Sequence, residues 1–281
     1  MQYISTPDQT KLYYKDWQMQ PANAAQSTVV LLSGWPLSAD SWDDQALAIA
    51  NAGHRVIAYD RRGFGRSSQP FGGYDYDTLA DDLDAVLTQT AARNVVLVGF
   101  SMGGGEVARY LSRYPNNSVI KAAFVASVAP FKVVVGDDPT GAARVAYEKT
   151  KQAILTDRTA FFVGFFEKFF GAPDIGHPIS DALLLWARSM ASQACLPATL
   201  GCLHAFSHTN FDADLASIKV PTLVIHGSDD KIVPITDAGR EKALAIPFVK
   251  VIEYPGAPHG LFASHKDQLT HDLLSFIQFQ F

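Results

Sequence analysis

"VVLVGFSMGGG", residues 95–105, sets one serine at the end of an apolar run, with Gly99 two residues before it and Gly103 two residues after. Val95 to Gly99 is β-branched and apolar, the composition of a strand buried on both faces. From Met102 the apolar spacing turns helical, and Val107, Ala108, Tyr110 and Leu111 fall on or near one stripe. Ser101 is therefore predicted at an abrupt strand-to-helix turn. Such a turn crowds its central residue, and flanking glycines remove the Cβ atoms that would clash. The hydroxyl then projects beside a helix N-terminus, whose free N–H groups favour negative charge. The pattern is G-x-S-x-G. A tight structural turn explains the glycines equally well, so the decision rests on what the rest of the chain brings to this serine.

Working outward, "LYYKDW" (12–17), "TVVLLS" (28–33), "HRVIAYD" (54–60), "VIKAAFVASVAP" (119–130), "VPTLVIHG" (220–227) and "FVKVIEY" (248–254) read as further strands. Helices are predicted over 40–53, 76–90, 236–246 and 264–279, with Leu79, Leu83, Val86 and Leu87 sharing a face of the second. Strand–helix alternation implies a mainly parallel sheet with helices on both faces. The rhythm stops over 131–217, a Phe-, Ala- and Leu-rich stretch too long for an ordinary crossover. A helical cap insertion there, in a core domain made of 1–130 and 218–281, is the simplest organisation.

The chain has 281 residues, is 48% hydrophobic and 18% charged, and carries a net charge of −5. A sizeable core is expected, and no basic run points to nucleic acid or an anionic membrane. The N-terminal residues lack the basic and apolar regions of a signal peptide, and no 20-residue apolar stretch exists, so a cytoplasmic protein is expected. Cys195 and Cys202 read as two buried free thiols.

In a parallel sheet, ligands bind beyond the carboxyl ends of the strands. After the strand ending at 227 comes "SDDKIVP", offering Asp229 and Asp230; after the next comes "YPGAPHG", offering His259. Serine, acid and histidine thus follow in chain order on strand-end loops, which is the order of the α/β-hydrolase fold. A serine hydroxyl is a weak nucleophile until an imidazole takes its proton, and a buried carboxylate fixes that imidazole's tautomer. The oxyanion hole should use the backbone N–H of Met102 and, from the loop after 28–33, that of Trp35. Pro36 restricts Trp35 to extended conformations and so should fix where the Trp35 carbonyl points.

The motifs "GWPLSADSW" (34–42), "AYDRRGFGRSSQP" (58–70), "YDYDTLADDL" (74–83), "LVGFSMGGGEVARY" (97–110), "PTLVIHGSDDKIVP" (221–234) and "APHG" (257–260) together resemble the cofactor-free bacterial haloperoxidases and aryl esterases. The resemblance implies a catalytic triad of Ser101, Asp230 and His259, Asp230 being at the family's spacing before "KIVP". It also implies oxyanion donors at Trp35 and Met102, and an apolar pocket at Phe131, Phe161, Phe165, Ile232 and Val233. It implies a small ester or carboxylic acid as substrate, hydrogen peroxide as co-substrate, no cofactor or metal, and a homo-oligomer. One departure is Ser33, where the family usually carries histidine before the glycine.

Competing readings are a plain carboxylesterase, lactonase or lactamase, and a ligand-sensing receptor that keeps the fold. An aspartate-nucleophile dehalogenase or epoxide hydrolase is excluded by Ser101. His204 and His208 stand at helical spacing but lack the glutamate and third ligand of a zinc site. "RRGFGRSS" lacks the third glycine and the G-K-[ST] of a phosphate loop and reads as a turn with ion-paired arginines. Phenylalanines at 161, 162, 165, 166, 169 and 170 are expected to divide between core and pocket.

Overall fold

At the centre of the sheet, β3 (Thr28–Leu32) and β5 (Val95–Phe100) run parallel with every residue buried. Alternate side chains of a strand face opposite ways, so burial throughout means that both faces are covered. The computed structural model describes residues 2–18, 27–115, 118–172 and 179–278. The remaining strands are β1 (Gln2–Ser5), β2 (Lys11–Trp17), β4 (Arg55–Tyr59), β6 (Val119–Val125), β7 (Thr222–Gly227) and β8 (Val249–Tyr254). They form one eight-stranded sheet in the order β1-β2-β4-β3-β5-β6-β7-β8, antiparallel at β1/β2 and β2/β4 and parallel elsewhere. The mainly parallel sheet is the one that the strand–helix rhythm predicts, and the fold is the α/β-hydrolase architecture.

The helices are α1 (Asp43–Asn51), α2 (Tyr76–Gln89), α3 (Met102–Arg113), α4 (Val128–Phe131), α5 (Ala142–Phe169), α6 (Asp181–Gln193), α7 (Leu196–His208), α8 (Asp212–Ala216), α9 (Asp237–Leu244), α10 (Leu261–Ser264) and α11 (Lys266–Gln278). Capping follows residue chemistry: Asp75 accepts from the Thr78 amide, Ser180 from Leu183 and Thr236 from Gly239, each meeting an otherwise unpaired N–H. α5 breaks at Asp157, whose carboxylate accepts the Ala160 amide at 2.9 Å and caps the second half. None of the described helices is long and apolar enough to cross a membrane.

Several boundaries differ from expectation. β1, with only Ile4 buried, carries too little apolar pattern to be read from sequence. The strand expected over 119–130 ends at Val125, because Ala126 takes φ +43° and Ser127 caps α4 by accepting the Ala129 amide. The helix expected over 40–53 opens with a 3₁₀ turn at Ala39–Trp42. The last predicted helix divides into α10 and α11; its residue 279 lies outside the described residues. Between β6 and β7 all regular structure among the described residues is helical; residues 173–178 of that stretch also lie outside them. Cys202 is buried but Cys195 is only half-buried, and both are free.

The arginines after β4 are ion-paired, as the turn reading expects. Arg61 donates from Nε to Glu106 Oε1 at 2.7 Å, and Arg62 from Nε to Asp82 Oδ2 at 2.6 Å. Side chains of the Arg61–Glu106 pair are 2% and 1% exposed. Removing one charge of such a pair strands the other in low dielectric. Glu106→Gln should therefore lower the unfolding free energy by about 3 kcal/mol. Urea unfolding checks this against the exposed control Glu241→Gln, and equal midpoints for the two variants would contradict it.

Candidate active site

β5 ends in the elbow. Ser101 has φ 53° and ψ −117°, a backbone state that costs about 1–3 kcal/mol in a residue with a Cβ. Three hydrogen bonds hold it there: its N–H donates to Val125 O at 2.9 Å, and its carbonyl accepts from Gly104 and Val128, each at 3.1 Å. The glycines are required sterically. A Cβ at Gly99 would meet Gly103 O at 2.5 Å, and one at Gly103 would meet Leu32 O at 2.6 Å. Gly103 thus makes room for β3, a close approach of two elements rather than relief of the serine itself.

The strand-end loops converge here. His259 Nε2 lies 2.9 Å from Ser101 Oγ, and its Nδ1 lies 2.7 Å from Asp230 Oδ2. Asp230 Oδ1 accepts the amides of Ile232 at 2.9 Å and Val233 at 2.8 Å. Burial alone would raise the Asp230 carboxyl pKa. The electrostatic interaction with His259 and the hydrogen bonds from His226 and His259 outweigh it and hold the carboxyl well below the usual range. Asp229 instead points outward, its side chain 43% exposed and 3.7 Å from Lys231 Nζ. Its amide donates to Ala257 O at 3.1 Å, tying the acid loop to the histidine loop. The rings of Phe100 and Phe169 flank the His259 imidazole, with centroids at 5.2 and 4.9 Å.

Trp35 and Met102 each keep a backbone N–H with no acceptor among the described residues. Both sit beside the elbow: Gly34 packs so tightly on Ser101 that an added Cβ would meet Ser101 Cβ at 2.9 Å. The Gly34 carbonyl accepts the Leu37 amide at 2.9 Å, closing a turn centred on Trp35 and Pro36. The indole is anchored by Nε1–H donating to Thr199 O at 3.1 Å, so Trp35 serves the core and presents a free amide together. Ser33, the departure from the family pattern, leaves its Oγ buried without a partner among the described residues. Its carbonyl accepts from Arg61 Nη2 at 2.6 Å, which secures the loop without a histidine side chain.

The pocket candidates are divided. Phe161 and Phe165 are half-buried against Trp35, with ring centroids at 6.3 and 5.3 Å. Phe162, Phe166, Phe169 and Phe170 are core. Ile232 is half-buried and Val233 buried, both on the acid loop. Phe131 is 2% exposed and packs its ring on His226 at 4.3 Å, behind the acid loop.

His226 is the residue that sequence reading passes over. It is fully buried, donates from Nε2 to Val233 O at 2.8 Å, and lies 3.2 Å from Asp230 Oδ2. The available signal was a histidine inside an otherwise apolar strand, four residues before Asp230. His204 and His208 stack at 4.1 Å on α7. Among the described residues no group of three or more His, Cys, Asp or Glu side chains could hold a metal ion. A surface cavity of about 690 Å³ lies between Phe71–Asp75 and α7 and does not include Ser101.

A buried carboxylate, an imidazole and a hydroxyl in series, with two unengaged amides beside the elbow, can move a proton off the hydroxyl and hold an oxyanion. Residues 27–266 match the family described as the alpha/beta hydrolase fold. The chain belongs to that family. This alpha/beta hydrolase is 37% identical to a non-heme chloroperoxidase of Kitasatospora aureofaciens, the match covering 99% of each chain. It is also 37% identical to a bifunctional esterase/perhydrolase of Acinetobacter calcoaceticus, over 99% of its own length and 100% of that relative's. Among solved structures, a bromoperoxidase from Bacillus anthracis superposes with a TM-score of 0.91 at 41% identity, covering 99% of this hydrolase and 100% of that chain.

Proposed function

We propose that this hydrolase cleaves small carboxylic esters through an acyl-enzyme on Ser101 and passes the acyl group to hydrogen peroxide as well as to water. The observation that carries this is the unbroken series Ser101–His259–Asp230, with contacts of 2.9 and 2.7 Å, next to the free amides of Trp35 and Met102.

Each group has one task. Ser101 Oγ gives its proton to His259 Nε2 and bonds to the ester carbonyl carbon. The amides of Trp35 and Met102 hold the resulting oxyanion. As the C–O bond to the alcohol breaks, His259 returns the proton to the leaving oxygen. Water then gives a proton to His259 and attacks the acyl carbon, releasing acid and restoring Ser101. Peroxide entering in place of water releases a peracid. In solution the peracid oxidises halide, giving carboxylate and hypohalous acid. Each enzyme-bound step is a proton or acyl transfer among these groups.

Water at about 55 M competes with peroxide at about 10 mM, so equal partition needs roughly 5 kcal/mol of relative barrier in favour of peroxide. Peroxide's greater nucleophilicity supplies part and positioning the rest. The Trp35 carbonyl receives no N–H among the described residues, so it is available to accept from bound peroxide. Pro36 limits the conformations of Trp35. Acetic acid can acylate Ser101 in the same way with water as the leaving group, so metal-stripped enzyme in acetate with peroxide and bromide is expected to brominate a reporter dione and Ser101→Ala is not. Pro36→Leu should lower the ratio of perhydrolysis to hydrolysis several-fold. Equal bromination by wild type and Ser101→Ala would sink the peracid route. An unchanged ratio in Pro36→Leu would remove the role of Pro36 and leave an esterase.

A further inference from the structure

Lys132 follows α4 directly, one residue after Phe131. Its ammonium lies 5.9 Å from the ring centroid of Phe206, and that ring packs on Trp35 at 5.7 Å. The aromatic cluster around Trp35, with half-buried Phe161, Phe165 and Phe206, therefore carries one cation. Lys132 itself is half-buried. Among the described residues its ammonium has no hydrogen-bond acceptor and no ion-pair partner.

The carboxylate whose charge acts on Lys132 cannot serve it. Asp230 acts on Lys132 through charge alone. Both of its oxygens are engaged, Oδ1 by two amides and Oδ2 by His259 and His226. Burial pulls the Lys132 pKa down, and the Asp230 charge opposes that. A cation held against aromatic faces, with its hydrogen-bonding capacity unmet by protein, gains most from an anion that brings its own acceptors. An apolar ester gives it nothing, and covering it with one would cost the ammonium its remaining water.

From this placement we propose that Lys132 determines specificity: the hydrolase takes esters that carry a second, free carboxylate, which Lys132 binds while the ester carbonyl sits at Ser101. The inference rests on the hydrolase reading above and names the substrate class of that same site. The shared chemistry is a carboxylate on an ester, and it can belong to the acyl part or to the alcohol part.

Two pairs of substrates separate those sources. Monomethyl glutarate is compared with its isostere bearing isopropyl in place of the carboxylate, and the acetate ester of γ-hydroxybutyrate with its own isopropyl isostere. The quantity read is the acid-to-neutral ratio of kcat/KM for wild type, Lys132→Met and Lys132→Arg. In one pair, wild type should favour the acid, Lys132→Met should lower the ratio by about tenfold or more, and Lys132→Arg should keep most of it. The pair that responds identifies the part bearing the carboxylate. Ratios that are the same in wild type and Lys132→Met for both pairs overturn the inference. Wild type turning over none of the four esters would fault the hydrolase reading instead. Thermal shifts then decide: stabilisation by glutarate that 5-methylhexanoate does not give, lost in Lys132→Met, upholds the carboxylate site, and its absence overturns it.

Discussion

Ser101→Ala should lower kcat/KM for p-nitrophenyl acetate by at least about 10⁴-fold while leaving the fold intact. Alanine shares the serine Cβ, so the positive-φ elbow at φ 53° is strained no more than before. The backbone bonds to Val125, Gly104 and Val128 do not involve the side chain. Only Oγ is lost, and with it the acceptor of the acyl group. The free amides of Trp35 and Met102 remain, so a small rate above that of water alone should persist. His259→Ala should cost a comparable factor, because the two residues act as a unit and their losses do not add. Initial rates beside a thermal melt check both points. A Ser101→Ala enzyme that melts like wild type and keeps a tenth of its activity would remove Ser101 from the chemistry.

The second large effect separates two adjacent carboxylates. Asp230→Asn should cost about 10³–10⁴-fold in kcat, and Asp229→Asn about twofold or less. The asymmetry follows from what Asp230 accepts. The amides of Ile232 and Val233 point at Oδ1, at 2.9 and 2.8 Å. An asparagine must put its carbonyl oxygen there. Its NH₂ group then occupies the Oδ2 position and donates toward His259 Nδ1. The imidazole is forced to carry its proton on Nε2, where it faces Ser101 Oγ and cannot act as base. His226, donating near the same Oδ2, would meet that NH₂ as well. Asp229 is 43% exposed and faces Lys231, and loss of its charge touches none of this. Steady-state kinetics on the two variants decide it. The reverse ranking would move the acid role to Asp229.

The elbow and the order of strands were legible because each is written in neighbouring residues. β-branched runs, a G-x-S-x-G and polar residues just beyond strand ends are local signals, and a parallel sheet gathers its strand ends at one edge. The convergence of Ser101, Asp230 and His259 on one another follows from that rule. What escaped depends on contacts between distant segments. The part played by His226 emerges only when the acid loop folds back so that Val233 O and Asp230 both meet its ring. The family resemblance implies Phe131 as pocket-lining; its packing on the His226 ring is a contact between distant segments that the sequence does not announce. Lys132 gains meaning only when α7 brings Phe206 beside it. The Arg61–Glu106 pair joins the turn after β4 to α3, and neither charge marks the other in sequence. β1 and the break after Val125 were missed for a different reason, since a four-residue edge strand and one residue at positive φ leave almost no compositional trace.

The acyl-enzyme on Ser101 is tested most directly by covalent trapping. The protein is incubated with diethyl p-nitrophenyl phosphate, and residual esterase activity is followed beside mass spectrometry of the intact chain and its peptides. The expected result is one diethylphosphoryl group per chain, located on Ser101, with activity falling in proportion to labelling and no label on Ser101→Ala. Full labelling of Ser101 with activity retained, or loss of activity with the label on another residue, would contradict it.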